Sequence, residues 1–207
     1  MKPGPSRGFT LPPVSSALLR NGLKIHAVPL SELPLVSIHF IVPCGAEADP
    51  VELAGLADLS AEMLVLGTQK RSSSQLAAEI DGMGAILSAY AGWNGTSLYL
   101  SGLSEDLERL LELLLEIHTE PAYAPEEFEQ LKQRRIGQLI QQKDESSIIA
   151  DERFQQMLFR GTPYDHPTYG TLESLPKLTV EDAKGFYRKR FGTPGTFLVL
   201  VGDLSVD

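Results

Sequence analysis

The chain has 207 residues, and 43% of them are hydrophobic, which is enough to bury the core of one domain. Its 27 acidic residues outnumber 18 basic ones, the net charge is −9, and no run of Lys or Arg could follow a phosphate backbone, so a nucleic-acid partner is not expected. No apolar stretch approaches the roughly 20 residues of a membrane span, and the first residues lack the apolar segment of a signal peptide, so both the periplasm and the cytoplasm of a bacterium stay open.

The first part of the chain predicts strands. Residues 1–14, with four prolines, predict an extended lead-in. The segment from Ala17 to Leu30 holds two apolar runs around Asn21-Gly22, which is the strongest short signal for a β-hairpin. A third strand follows, in which apolar and polar residues alternate, so the chain is expected to open as a three-stranded antiparallel unit. The apolar residues of the third strand are Val36, Ile38, Phe40 and Val42.

The stretch "GLADLSAEMLVLGT", from Gly55 to Thr68, predicts a short amphipathic helix closed by a glycine turn. It places Asp58 and Glu62 one turn apart on the same side. Carboxylates at i and i+4 repel each other by roughly a few tenths of a kcal/mol on an isolated helix. The pair is unfavourable by itself, which makes this helix a candidate site.

A second helix is predicted over "SSSQLAAEIDGMG", because a serine caps its start and Gly82 and Gly84 stop it. Two strands then flank Asn94-Gly95, the second Asn-Gly turn of the chain. This region therefore predicts a helix followed by a hairpin.

The second half of the chain predicts helices and one last strand. Ser104 is placed to cap a helix that reaches Thr119, and Pro125 suits the first position of a long helix. Further helices are predicted from Ile148 to Phe159 and from Thr179 to about Arg190, before a buried strand over "TFLVLVGDL". The order of elements predicts an α+β fold, a two-layer sandwich in which helices cover one mixed or antiparallel sheet. The predicted solvated face of the first of these helices carries Glu108, Glu112 and Glu116.

Common catalytic and metal-binding patterns are missing from the sequence. No two of the four histidines have the spacing of a helix-borne metal pair, so a His-based zinc site is not expected. His26 and His39 lie in strand patterns, and His166 lies in a loop beside Pro167, where exposure to solvent is expected. There is no Gly-x-Ser-x-Gly nucleophile elbow and no phosphate-binding loop.

The order of these segments resembles the insulinase/pitrilysin family of zinc metallopeptidases over nearly the whole chain. The most specific similarity lies in "FRGTPYDHPTYGTLESLPKLTVEDAKGFYRKRF" and in the final "FLVLVGDL". Enzymes of this family carry His-x-x-Glu-His on their first helix, in a stretch similar to "GLADLSAEMLVLGT". The resemblance implies an ancestral zinc peptidase site on the first helix.

Placed on that motif, this chain has lost the zinc-binding residues. Asp58 stands at the first His ligand, Ala61 at the catalytic Glu and Glu62 at the second His. The further Glu ligand on the long helix corresponds to Gln138, within one residue. Hydrolysis in such sites needs a zinc-activated water and a carboxylate base, and Ala61 cannot accept a proton. No catalytic residue, no metal and no cofactor are therefore expected, and Asp58 and Glu62 form either a solvated or hydrogen-bonded acidic pair or a weak site for a hard cation.

The resemblance also implies an edge strand that holds peptides. Family enzymes bind substrate as an added strand beside a segment similar to Gly-Gly-x-x-Asn-Ala-x-Thr, which corresponds here to residues around Gly84 and Ala85. The polar side chains that orient the peptide are replaced, but the backbone edge could still pair with an extended chain. The predicted peptide-binding residues are Ser88, Ala89, Tyr90 and Ala91.

Family members consist of tandem units of about this size that close around a chamber, within one chain or between subunits. Residues 15–207 are therefore expected to form one such unit, the first half of a longer two-unit protein. The leading hypothesis is a non-catalytic unit that forms half of a peptide-degrading chamber with a catalytic partner carrying an intact motif, or with a second copy of itself. The alternatives are a peptidase with a non-standard metal site and a structural subunit of a larger assembly.

Overall fold

The computed structural model of the protein describes residues 12–143, 145–192 and 194–205. Residues 1–11 of the predicted lead-in lie outside the described part. The first strands form the predicted hairpin around Asn21-Gly22, with β1 antiparallel to β2. The alternation of the third strand is confirmed, since its four apolar residues are buried and the residues between them are half-exposed. The strands are β1 (Ser15–Leu18), β2 (Lys24–Pro29) and β3 (Leu35–Val42).

The second hairpin is also present, but its turn lies one residue earlier than predicted. Gly92 N donates to Gly95 O, so Trp93 and Asn94 are the central residues of the turn. The remaining strands are β4 (Ile86–Ala91), β5 (Thr96–Leu103) and β6 (Phe197–Gly202).

These strands form one six-stranded mixed sheet in the order β1-β2-β6-β3-β5-β4. The predicted three-stranded opening unit is wrong, because β6 lies between β2 and β3, parallel to the first and antiparallel to the second. Local hairpin signals could not reveal this, since β6 pairs across more than 150 residues of chain. The prediction that β6 is buried is only partly right. Leu198 is buried, and the other residues of the strand are half-exposed.

The predicted α+β sandwich is confirmed. The helices cover the face of the sheet that carries Val36, Ile38 and Phe40, and these residues share one apolar core with Leu59, Leu110 and Phe128. None of the helices in the described residues has the length and apolar character needed to cross a membrane. The helices are α1 (Leu56–Glu62), α2 (Ser73–Gly82), α3 (Leu107–Thr119), α4 (Pro125–Gln142), α5 (Ser146–Leu158) and α6 (Val180–Arg190).

Most predicted helix starts are found, with one correction. Ser72 and Thr179 cap α2 and α6 in reciprocal capping boxes, and Pro125 is the first residue of α4. Ser104 does not cap α3, because its hydroxyl donates to Asp203 Oδ2 at 3.0 Å. A short 3₁₀ turn precedes that helix instead.

The solvated face of α3 also needs a correction. Glu108 and Glu112 are exposed, but Glu116 is not a free surface residue. It accepts a hydrogen bond from Thr68 Oγ1 at 2.5 Å and forms an ion pair with Arg71. The loop after α1 is thereby attached to α3.

Candidate functional site

The helix that carries the candidate site begins at a buried carboxylate. Asp49 Oδ2 accepts from Gly55 N at 3.0 Å, and its Oδ1 accepts from Ala57 N at 2.9 Å. These amides lie at the start of α1, where the backbone N–H groups have no carbonyl acceptors within the helix. Burial raises the pKa of Asp49 to about 7, against the effect of the amides, and the charge of Asp58 raises it further. The cap holds α1 in the core, where Leu56 to Ala61 are all buried.

The two carboxylates on α1 share one cation, the guanidinium of Arg135 on α4. Arg135 Nη1 donates to Asp58 Oδ2 at 2.5 Å, and Nη2 donates to Glu62 Oε1. The side chains are 10% exposed at Asp58, 29% at Glu62 and 13% at Arg135, so the cluster is largely withdrawn from water. A guanidinium suits this arrangement because its planar fork presents two donors in fixed geometry. The repulsion expected between the acids is therefore offset by a charge from another helix.

The balance of effects on Glu62 shows why the cation matters. Burial raises the pKa of Glu62, and the negative charge of Asp58 raises it further, while Arg135 lowers it. Arg134 also lowers this pKa, but by less than Arg135 does. The guanidinium of Arg135 therefore favours the charged form of Glu62 against the effect of burial.

The other residues of the lost motif lie outside this cluster. Ala61 is fully buried in the apolar core, and its side chain is a methyl group. Gln138 is exposed, and within the described chain no hydrogen bond joins it to Asp58 or Glu62. The described residues also hold no group of three or more His, Cys, Asp or Glu side chains that could bind a metal.

The candidate peptide edge is connected to the same cluster. Because Gly92 and Gly95 form a hydrogen-bonded pair, Tyr90 and Ser88 direct their main-chain groups toward β5, and Ala91 and Ala89 direct theirs outward. The outward N–H of Ala91 donates to Asp58 Oδ1 at 3.3 Å. Four residues were predicted to hold a peptide. Among them, Ala89 directs both its N–H and its C=O away from β5, whereas Ala91 has only its C=O left for a peptide.

The two histidines predicted to lie in strands are found there, but His166 is not exposed as predicted. The rings of His26 and His39 lie on the uncovered face of the sheet, against Phe197 and Tyr99. His166 was expected to be exposed, but it is only 6% exposed, because its ring packs 5.5 Å from the ring of Trp93. Its Nε2 has no hydrogen-bond partner among the described residues.

Arg135 is the site residue that sequence reasoning missed. It is separated from Asp58 by 77 positions, and it lies three residues before the predicted ligand position Gln138. The available signal was the pair Arg134-Arg135, which lies on the same helix and close to the predicted ligand position Gln138. Two acids on a facing helix would need a cation from this region. The sequence could not say which arginine turns inward; Arg134 is exposed and Arg135 is not.

With the geometry established, comparison with known proteins gives the family. The profile described as Insulinase (Peptidase family M16) matches residues 31–172, more than half of the chain. The chain belongs to the insulinase family. A crystal structure described as a peptidase M16 inactive domain from Pseudomonas fluorescens is 26% identical, with a TM-score of 0.86 over 93% of this chain and 47% of that one.

Two curated relatives of this chain carry different descriptions. An "Uncharacterized zinc protease" of Rickettsia felis is 25% identical over 91% of this chain and 46% of its own length. A "Non-peptidase homolog YmxG" of Helicobacter pylori is 26% identical over 84% of this chain and 40% of its own length. The chain thus spans less than half the length of these relatives.

The zinc of insulinase-family enzymes does not fit the residues present here. Three of the four carboxylate oxygens of Asp58 and Glu62 accept hydrogen bonds from Arg135 or Ala91. A positively charged guanidinium lies where a metal would need to approach, and a catalytic zinc needs three protein ligands. No hydrolytic step through a metal can be assigned to this site.

Proposed function

We propose that this chain is a non-catalytic insulinase-family unit that forms half of a peptide-degrading chamber with a catalytic zinc metallopeptidase of the same family. The observation that carries the proposal is the combination of a retained family fold with Ala61 at the general-base position. A methyl group cannot take a proton from water, whichever metal is supplied. A peptidase active by itself is accordingly the weaker alternative.

The edge of β4 supports a role in holding peptides. Ala89 and its neighbour Leu87 direct main-chain groups away from β5, and an extended peptide could pair with them as an added strand. Asp58 occupies the outward N–H of Ala91, so the peptide would pair with fewer groups at that end. We infer that the unit holds peptide weakly and that the partner carries out cleavage.

An apolar surface on α5 supports a partner. None of the residues of this helix is buried, and its outward side exposes Phe154, Met157 and Leu158 by 65%, 80% and 61%. Large apolar side chains grouped in this way mark an interaction surface more often than a free one. The proposed chamber would cover them with the partner unit.

The experiment is affinity purification of the tagged full-length protein from its native host, followed by mass spectrometry. The expected result is a near-equal amount of an insulinase-family relative with an intact His-x-x-Glu-His. The purified pair should then cleave unstructured peptides, and Glu→Gln in the partner's motif should abolish cleavage, while this chain alone does not cleave.

Two outcomes would contradict the proposal. Zinc- or manganese-dependent cleavage by this chain alone, lost in Glu62→Gln, would establish the peptidase alternative. A stable assembly that contains no relative with an intact motif would establish the structural-subunit alternative.

A further inference from the structure

We infer that Arg135 is an internal cation that takes the place of the metal in this unit, so that Asp58 and Glu62 are closed to divalent ions. The inference concerns the site itself and does not depend on the proposed chamber. It follows from the disagreement between the family's zinc site and the side chains present.

The charges of the cluster favour a built-in cation. Asp58 and Glu62 lie one turn apart on a helix whose residues from Leu56 to Ala61 are buried, and a largely dehydrated acidic pair is costly without a counter-charge. The guanidinium of Arg135 contacts both acids at once. Because arginine stays protonated at any pH a cell experiences, this counter-charge cannot be lost in the way a bound ion can.

The hydrogen bonds leave little for an ion to bind. Asp58 uses Oδ2 for Arg135 and Oδ1 for the N–H of Ala91, and Glu62 uses Oε1 for Arg135. Of the four carboxylate oxygens of this pair, Oε2 of Glu62 is the one that accepts no hydrogen bond from the described residues. Hard cations such as Mn²⁺ prefer several oxygen ligands, and zinc needs at least three protein ligands. A divalent ion would have to displace the arginine to bind.

The same contacts join the first helix and the long helix, which a metal site would otherwise connect, and they also reach the end of β4. Arg135 belongs to α4, Asp58 and Glu62 belong to α1, and Ala91 ends β4. The unit therefore holds its long helix, its first helix and its peptide edge together without a metal. Chelators should not change its folding.

The test exchanges the arginine for a ligand. Arg135→Glu supplies a third carboxylate beside Asp58 and Glu62, Arg135→Gln removes the charge, and Arg134→Glu makes the same charge change at the neighbouring exposed position. Full-length proteins are titrated with Mn²⁺ and with Zn²⁺ by calorimetry, and thermal unfolding is recorded with each ion and with EDTA.

We expect R135E to bind Mn²⁺ at least tenfold more tightly than the wild type and to gain thermal stability with the ion. R134E should stay within about threefold of the wild type, and EDTA should not change the Tm of the wild type. If R135E does not fold, R135Q carries the test, with the same tenfold gain over the wild type. Folded variants, verified by circular dichroism, that bind no better than the wild type would overturn the inference.

The wild type provides a second test that does not depend on the folding of any Arg135 variant. Saturable binding of one Mn²⁺ or Zn²⁺ per chain, abolished by Asp58→Asn, would show that the arginine does not exclude the ion. That result would overturn the inference by itself. Binding that persists in Asp58→Asn would locate the ion elsewhere and leave the wild-type pair closed, as we expect.

Discussion

At the scale of single residues, two buried acids determine how α1 is placed. Asp49 caps the helix from outside, and Asp58 lies one turn inside it, so two carboxylates approach each other in a region withdrawn from water. The helix start favours negative charge at Asp49 through its free amides, but burial is the larger effect, and the pKa of this acid rises to about 7. The cap therefore titrates within the physiological range.

A pH-dependent stability follows from Asp49. Its pKa in the folded protein, about 7, exceeds the ordinary value of 3.8, so the folded state binds the proton more tightly than the unfolded state does. The stabilisation that comes from protonation of Asp49 in the folded state is fully present below about pH 4, and it is lost as the pH rises through 7. Asp49→Asn cannot titrate and should remove this loss.

The measurement is thermal unfolding of the wild type and of D49N between pH 4 and 8. The Tm of the wild type minus that of D49N should decrease steadily as the pH rises, with exposed Asp81→Asn as the control. Parallel curves for the wild type and D49N would refute the titration of this cap.

At the scale of elements, α1 is held against a neighbouring loop by glycines. Gly55 precedes the helix with φ of +92°, and a Cβ built on it would lie 2.8 Å from Gly170 Cα. Any side chain there would be strained by the backbone angle and would also press on the opposing main chain. The close approach lets Ser174 Oγ donate to Ala54 O at 2.8 Å, which joins the loop before α6 to the start of α1.

Two glycine substitutions should therefore have opposite effects. Gly55→Ala should lower the free energy of unfolding by about 2–4 kcal/mol, from the left-handed backbone and the contact with Gly170. Gly137→Ala should raise it by about 0.5–1 kcal/mol, because Gly137 lies inside α4 with no atom within 4 Å of its added Cβ. Urea unfolding at equilibrium measures both. If both substitutions changed the free energy of unfolding by the same amount, the backbone angle and the contact with Gly170 would not explain the effect at Gly55.

At the scale of the whole molecule, α5 is the helix least integrated into the described unit. It faces the body with Ile148, Glu152 and Gln156, which are half-buried, and Glu152 Oε1 accepts from Tyr169 Oη at 2.6 Å. Its other side carries the exposed apolar residues Phe154 and Met157. One side of the helix is thus anchored by polar contacts, and the other is available to a partner.

A charge on this surface should separate association from folding. Met157→Lys should change the free energy of unfolding of the isolated unit by no more than about 0.5 kcal/mol, because Met157 is 80% exposed. It should nevertheless reduce binding of the proposed partner at least tenfold, since the charge would be buried there. Gln133→Lys, on the exposed side of α4, is the matched control for charge. Calorimetry or light scattering measures the association, and unchanged binding in M157K would exclude α5 from the interface.

The sequence by itself determined the elements whose signals are local. Both hairpins, the alternation of β3, the capping boxes at Ser72 and Thr179 and the start of α4 at Pro125 depend on residues a few positions apart. The order of these elements predicted the α+β fold class, and the family resemblance matched Asp58, Ala61 and Glu62 to positions of the zinc motif. Such features are readable because turn chemistry, caps and periodicity act within one element.

Only the tertiary structure decided the features that join distant segments. It inserted β6 between β2 and β3, buried His166 under Trp93 and directed Arg135, rather than Arg134, at the acidic pair. These outcomes depend on the packing of elements that lie far apart in the chain, and a single residue of helical rotation changes which side chain faces inward. The sequence therefore revealed that the metal ligands were lost, and the fold revealed that a guanidinium lies between the acids that replaced them.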